Sequence, residues 1–379
     1  MPMPKINYEE LKSYIPQNGN EENYALLTHY LMMRNTEQKK LKRSELINNF
    51  EFTDEKLLQA EKLFQNKTIP FTAQKDPSFT FIDLFAGIGG FRLAMQANGG
   101  ECVFSSEWDK SAKQTYYENY GEIPFGDITK INPSDIPDFE VLTGGFPCQP
   151  FSSIGKREGF KHKTQGTLFF YIAKIIEQKK PIAFLLENVP GLLTHDTGRT
   201  FSTIIDILTT ELGYTVYSKV LNSADFGVPQ IRKRLYFVGF RNDLNINDYE
   251  FPVENTNHVG IGRFVERNAD GPSISKHLQE SYIFKKDDGH PEIIDENSDF
   301  PVKTLVATYH KIQRITGTFV RGGSTGLRLL TKNECRSIMG FPENFRCPVS
   351  RTQMYHQYGN SVAVPVVTAI AHSIIDKIR

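Results

Sequence analysis

The chain has 379 residues, enough for one large core with one or two smaller modules. Its 44 basic side chains balance 44 acidic ones, so a nucleic-acid partner would have to meet basic charge gathered on one face. No apolar run spans a membrane, no apolar leader opens the sequence, and the four cysteines lack C-x-x-C spacing, which argues against a membrane protein, a disulfide framework and a metal site and leads us to expect a cytoplasmic protein.

Residues 1–78 are expected to form a helical extension. Tyr24 to Met32 has helical apolar spacing, and Thr53-Asp54-Glu55 reads as a capped helix start. Lys42 through Phe64 also fits two short helices joined by a turn, as in a helix-turn-helix; the alternative is a helical packing extension.

From Phe79 to about Phe240, short apolar or β-branched runs alternate with helical patterns. The runs are Phe79–Phe85, Cys102–Ser106, Val141–Thr143, Ala183–Leu186 and Leu235–Gly239; Phe169–Lys179 and Thr203–Leu212 are helical. This alternation predicts an α/β fold with a mostly parallel, Rossmann-like sheet covered by helices on both faces over residues 79–240.

The first strand runs into Phe85-Ala86-Gly87-Ile88-Gly89-Gly90, a glycine turn that opens a helix and suits close approach of a ligand. Arg92 stands where a dinucleotide fingerprint needs its third glycine, and no P-loop lysine follows, so a ligand without pyrophosphate fits better. Glu107, at the end of the second strand, suits ribose hydroxyls. Trp108, the single tryptophan, suits stacking on adenine. Asp127, beside Ile128 at a third strand end, suits the adenine amino group. Together they predict an adenosyl pocket.

Val141–Thr143 leads into Gly144-Gly145-Phe146-Pro147-Cys148-Gln149-Pro150-Phe151-Ser152. The proline stiffens the approach to Cys148 and places a thiol at the carboxyl end of a strand, where open α/β sheets keep their chemistry. The bland alternative is a small buried cysteine. Residues 241–326 break the rhythm: they are rich in Asn, Asp, Gly and Pro, with Lys303–Tyr309 as a strand candidate. In residues 327–379, Thr331–Met339 and Val364–Ile378 read as helices.

In order along residues 79–379 stand Asp83–Gly90, Gly145–Gln149, Glu187-Asn188-Val189, Gln230–Arg234, Arg328–Thr331 through Gly340-Phe341-Pro342, and Gly359–Pro365. In this order the chain resembles the DNA (cytosine-5)-methyltransferases, with a layout closest to the bacterial restriction–modification type. The resemblance implies transfer of a methyl group from S-adenosyl-L-methionine to C5 of a flipped-out cytosine within a short site in double-stranded DNA. It implies Cys148 as the nucleophile adding at cytosine C6, Glu187 as the acid at N3, Arg234 at O2, and Arg232 holding the site and its charge balance. It further implies that Pro147, Leu168 and the returning segment Asn360-Ser361-Val362 join the cofactor pocket. Contacts with DNA are expected from Gln149, Ser152, Lys156, Arg157 and Lys163 in a basic loop after the nucleophile. Residues 241–326 become a target recognition domain, with Thr304, Leu305, Arg314 and Arg321 among its DNA contacts. A cognate restriction endonuclease and a monomeric state are expected. Two other readings stay open, an RNA cytosine-5 methyltransferase and a DNA-binding regulator with decayed catalysis.

Overall fold

Asn20 and Thr53 each open an amino-terminal helix, and each side chain accepts from backbone N–H groups that a helix start leaves unpaired. The computed structural model describes residues 8–379, apart from Asn18, Asn35, residues 148–167, Asn268 and Asp270. The first helices are α1 (Glu21–Met32), α2 (Thr36–Phe50) and α3 (Asp54–Gln65). Leu26, Leu27, Tyr30, Leu46, Leu57 and Phe64 close into one cluster with Tyr117 and Ile123 of the following module. Each such burial is worth about 1.5–3 kcal/mol, so these helices are packed against the rest of the chain. Helix α2 buries only Leu46; Arg43 on it reaches Asp54 and Glu61 at 2.8 and 3.2 Å.

Strands β1 (Phe79–Leu84), β2 (Gly100–Ser106), β3 (Val141–Gly145), β4 (Ala183–Asn188), β5 (Tyr214–Asn222) and β6 (Lys233–Arg241) form a sheet in the order β2-β1-β3-β4-β6-β5. The first four pair in parallel, whereas β6 runs antiparallel to β4 and β5. The chain leaves β1 toward β2 on one side and comes back to β3 on the other. The crevice beyond the carboxyl ends of β1 and β3 is therefore the switch point where such sheets hold ligands.

Pleating sends alternate residues to opposite faces. Ile82, Leu84, Leu142, Phe184 and Leu186 pack under α6 (Leu168–Lys179) and α7 (Arg199–Asp206), after α4 (Gly90–Ala97) and α5 (Lys110–Tyr120) in the chain. Phe81, Val141, Ala183 and Leu185 face α4 and the carboxyl-terminal helix, through Phe91, Ala94, Met95, Val367 and Ile370. The expected helix Thr203–Leu212 is instead α7 followed by a wider turn, Ile207–Glu211.

Beyond β6 come the short helix α8 (Lys276–Leu278) and a small sheet of β7 (Glu292–Ile294), β8 (Thr318–Arg321) and β9 (Leu327–Arg328). The strand expected over Lys303–Tyr309 does not form: the Leu305 N–H is taken by the Gln230 side chain at 2.8 Å, and Tyr309–Lys311 is a 3-10 turn. Helices α9 (Lys332–Ile338), α10 (Arg351–Asn360) and α11 (Val364–Ile378) complete the chain. Thr331 and Glu334 form a reciprocal cap at the start of α9, and Glu334 also holds Arg328 in a buried pair. Residues of β8, α9 and α10 share one core with Tyr116 and Tyr120 of α5. The stretch Arg351–Ile378 has the length and hydropathy of a membrane span, but it is two helices broken at Ser361–Ala363, and α11 packs its apolar face on the sheet side.

Candidate active site

A cleft of about 660 Å³ opens at the switch point. One end of it is built on β1 and β2. Phe85, directly after β1, sits at φ 54. That region is disfavoured for a bulky side chain, and such strain concentrates where a backbone must meet a ligand. Glu107, directly after β2, accepts the N–H of Gly87 and that of Asp109, each at 2.8 Å. Its carboxylate, with about four lone-pair sites, keeps acceptor capacity for a ligand. Burial raises its pKa above the usual carboxylate range, against the pull of those backbone bonds. Trp108 beside it is 80% exposed, so its indole face is free to be covered. Asp127 caps a short turn, accepting from the N–H of Thr129 at 3.0 Å.

The wall opposite comes from the far end of the chain. A Cβ on Gly90 would lie 2.7 Å from Val362 and 3.2 Å from the Ser361 hydroxyl, so the start of α4 meets that segment only as glycine. The cleft is lined by Phe85, Ala86, Gly87, Ile88, Glu107, Trp108, Asp127, Ile128, Pro147, Leu168, Asn360, Ser361 and Val362, which brings together all the expected cofactor residues except Gly89. Gly89 sits between two lining residues, Ile88 and Gly90, as the left-handed cap of α4, with its carbonyl accepting from the Tyr120 hydroxyl.

The other end is built on β4 and β6. Glu187 near the end of β4 pairs with Arg234 of β6, Nε to Oε1 at 2.9 Å. A Cβ on Gly145 of the neighbouring strand would approach Glu187 Oε2 to 3.3 Å, so a bare backbone there leaves the carboxylate its room. Burial raises the Glu187 pKa, and the two arginines oppose it without cancelling it.

Arg232 lines the same cleft, but its guanidinium points into the protein frame. It donates to the carbonyls of Leu305, Gly359 and Ser361 at 3.1, 2.9 and 2.7 Å. Burial, and then Arg234 beside it, draw its pKa down to about 9, so it remains a cation at neutral pH. It ties the segment around Leu305 and the returning carboxyl-terminal segment to the sheet, a holding position.

Two residues not singled out from sequence serve the same frame. Asn188 donates to the Phe146 carbonyl at 2.9 Å and accepts from the Val189 N–H, fixing the chain just ahead of Pro147. Gln230, fully buried, donates to the Ile338 carbonyl at 2.9 Å while accepting from Leu305. Their places in Glu187-Asn188-Val189 and Gln230–Arg234 were the available signal.

Cys148, Gln149, Ser152, Lys156, Arg157 and Lys163 lie outside the described residues. Of the expected DNA contacts beyond β6, Arg321 is exposed, with Asp295 at 3.9 Å. Thr304 donates its hydroxyl to the Ile231 carbonyl at 2.7 Å. Leu305 is buried, so its side chain is not offered to a ligand. Arg314 is buried too, held by Asp288 and by the carbonyls of Ile283, Lys286 and His290. Its donors are spent within the fold, and the geometry corrects the expectation that it reads DNA.

The family model for C-5 cytosine-specific DNA methylase matches residues 79–376. Type II methyltransferase M.MspI of Moraxella sp is 60% identical over 296 residues, 78% of this chain and 70% of that protein. M.BsuFI of Bacillus subtilis, also a Type II methyltransferase, is 52% identical over 361 residues, 95% of this chain and 82% of its own, so its likeness takes in most of residues 1–78. Among solved structures, a mutant DNMT2 of Spodoptera frugiperda has a TM-score of 0.65 at 22% identity, covering 79% of this chain and 100% of that one. Dnmt2 of S. pombe has a TM-score of 0.64 at 21% identity, covering 79% and 99%. These two show the fold, which is the expected α/β methyltransferase architecture.

Proposed function

The chain belongs to the C-5 cytosine-specific DNA methylase family, and from that premise we propose how its own residues divide the work. The activity is that of a DNA (cytosine-5)-methyltransferase of the Type II kind, and S-adenosylmethionine is the cofactor.

The cleft residues fit that cofactor. Glu107 keeps free lone pairs for ribose hydroxyls, Trp108 offers an uncovered ring for adenine, Asp127 stands at the same end, and Phe85, Ile88, Ile128 and Val362 supply apolar walls. Once bound, S-adenosylmethionine supplies an electrophilic methyl group. The single observation carrying the reading is that Glu187 and Arg234 share one cleft with Glu107, Trp108 and Pro147, the residue directly before Cys148.

Cytosine C5 and C6 are inaccessible within a stacked duplex, so the base is flipped into the cleft. The Cys148 thiolate adds at C6, forming the S–C6 bond and moving ring electrons toward N3 and O2. Glu187, whose raised pKa favours a proton, hydrogen-bonds or protonates N3, while Arg234 neutralises the charge growing at O2. C5 becomes an enamine carbon able to accept a methyl group. Loss of the C5 proton to water, expulsion of the thiolate and return of the N3 proton to Glu187 restore the ring and the enzyme. Arg232 acts as a positioning residue. Residues 241–326 read a short site, with Arg321 as an accessible contact, and Gln149, Ser152, Lys156, Arg157 and Lys163 meet the DNA after the nucleophile. The enzyme works as a monomer alongside a cognate endonuclease in bacterial cytoplasm.

Labelled-methyl incorporation into duplex DNA and into tRNA tests the reading. The wild type should methylate DNA, and Cys148→Ala should not while still binding cofactor. Incorporation into tRNA alone would overturn it.

A further inference from the structure

We propose that the amino-terminal helices are a positioning element for the adenosyl end of the cleft, acting through Thr28 and His29 of α1. This rests on the reading of Glu107, Trp108 and Asp127 as the adenosyl end. Thr28 Oγ1 accepts the N–H of Ile123 at 2.9 Å in a fully buried contact. The next side chain, His29, donates from Nδ1 to the Ala25 carbonyl at 2.8 Å and places Nε2 3.6 Å from Glu122. Its ring centroid lies 4.9 Å from that of Phe125. The segment from Glu122 to Phe125 is thus gripped from outside by α1, two residues before Asp127.

The same segment is gripped from inside by the cofactor frame. Glu122 makes a two-pronged pair with Arg92 of α4, the helix that the glycine turn opens, at 2.5 and 3.0 Å. Phe125 stacks on Phe104 of β2 with centroids 4.9 Å apart. Its N–H donates to Ser105 at 2.8 Å, and its carbonyl accepts from Glu107 at 2.9 Å. A second contact reaches the neighbouring wall: Glu21, in the first turn of α1, pairs with Lys110 at 2.8 Å. Lys110 opens α5 two residues after Trp108. A simple packing cap needs only apolar contact. Here a buried side-chain acceptor completes a backbone amide, and a buried amide left unpaired carries a desolvation penalty that a local shift can relieve. The shift available is movement of the 122–127 segment, which carries Asp127 and holds Glu107.

Calorimetric titration of S-adenosylmethionine into full-length variants tests this. Thr28→Val keeps the shape and removes the acceptor; its Kd and KM for the cofactor should rise by about three- to ten-fold, with kcat at saturating cofactor and DNA affinity unchanged. Thr28→Ser should restore wild-type values. If Thr28→Val does not fold, Glu21→Gln at the exposed contact should raise the same constants in the same assay. Glu107→Gln separates the two readings. If it weakens binding while Thr28→Val and Glu21→Gln do not, the coupling is overturned and the adenosyl assignment stands. If none of them weakens binding, both fail.

Discussion

Arg314 and Arg321 lie in one loop-rich stretch, and sequence offered them as equal candidates for reading DNA. Their surroundings separate them. Arg314 spends its donors on Asp288 and three backbone carbonyls, whereas Arg321 is exposed, with Asp295 at 3.9 Å. Arg314→Ala should therefore lower the melting temperature and leave the methylated sequence as it is. Arg321→Ala should leave the melting temperature alone and weaken DNA binding. If Arg321 meets a base edge, the loss should be about 1–3 kcal/mol with relaxed choice at one position. If it meets a phosphate, all sequences should weaken alike and the salt dependence should flatten. Thermal melts, DNA titrations at several salt concentrations and methylation-site sequencing check both. A changed recognition site from Arg314→Ala would contradict this division.

Strand β4 does more than carry Glu187. Its last residue, Asn188, is almost fully buried and holds the Phe146 carbonyl of the chain leaving β3. Asn188→Ala should strand that carbonyl and destabilise the fold by about 1–3 kcal/mol. It should also lower kcat with little change in cofactor Kd, because the chain it releases leads to Cys148. Denaturant melts with single-turnover rates measure the two effects; an unchanged rate beside a full stability loss would make Asn188 structural only.

At this scale the sequence was legible where periodicity and burial agree. Val364–Ile378 is expected as a helix and is α11, and the runs that form β1, β3 and β4 are mostly apolar and almost wholly buried because both faces are covered, with Asp83 and Thr143 among the buried polar exceptions. Strand β5 escaped notice because it is an edge strand, half-exposed along most of its length, with Ser218 and Lys219 in its middle. Lys303–Tyr309 misled in the opposite sense. Its residues have strand propensity, but the Leu305 amide finds a side chain, Gln230, 75 positions away, and no local pattern records such a partner. The site was legible as ordered motifs. The holding position of Arg232 and the saturation of Arg314 were not, since each depends on carbonyls brought in from other segments.

Among the described residues, four apolar clusters surround the cleft. Two flank the sheet and set the switch point. A third joins the small sheet to α9 and α10 and so delivers Asn360, Ser361 and Val362 to the glycine turn. The fourth binds the amino-terminal helices to α5 and to the segment before Asp127. Net charge is zero, so attraction to DNA has to come from local groups rather than an overall basic field. The proposed reaction would unite the parts, because it needs cofactor, nucleophile and N3 acid at one switch point. A covalent trap tests that claim most directly: duplex DNA carrying 5-fluorocytosine at the methylated position, incubated with cofactor and resolved under denaturing conditions. The account predicts a stable protein–DNA adduct with the wild type, joined through Cys148 by peptide mapping and absent with Cys148→Ala, because fluorine at C5 cannot leave as a proton does. No adduct on a verified target, or one attached elsewhere than Cys148, would contradict it.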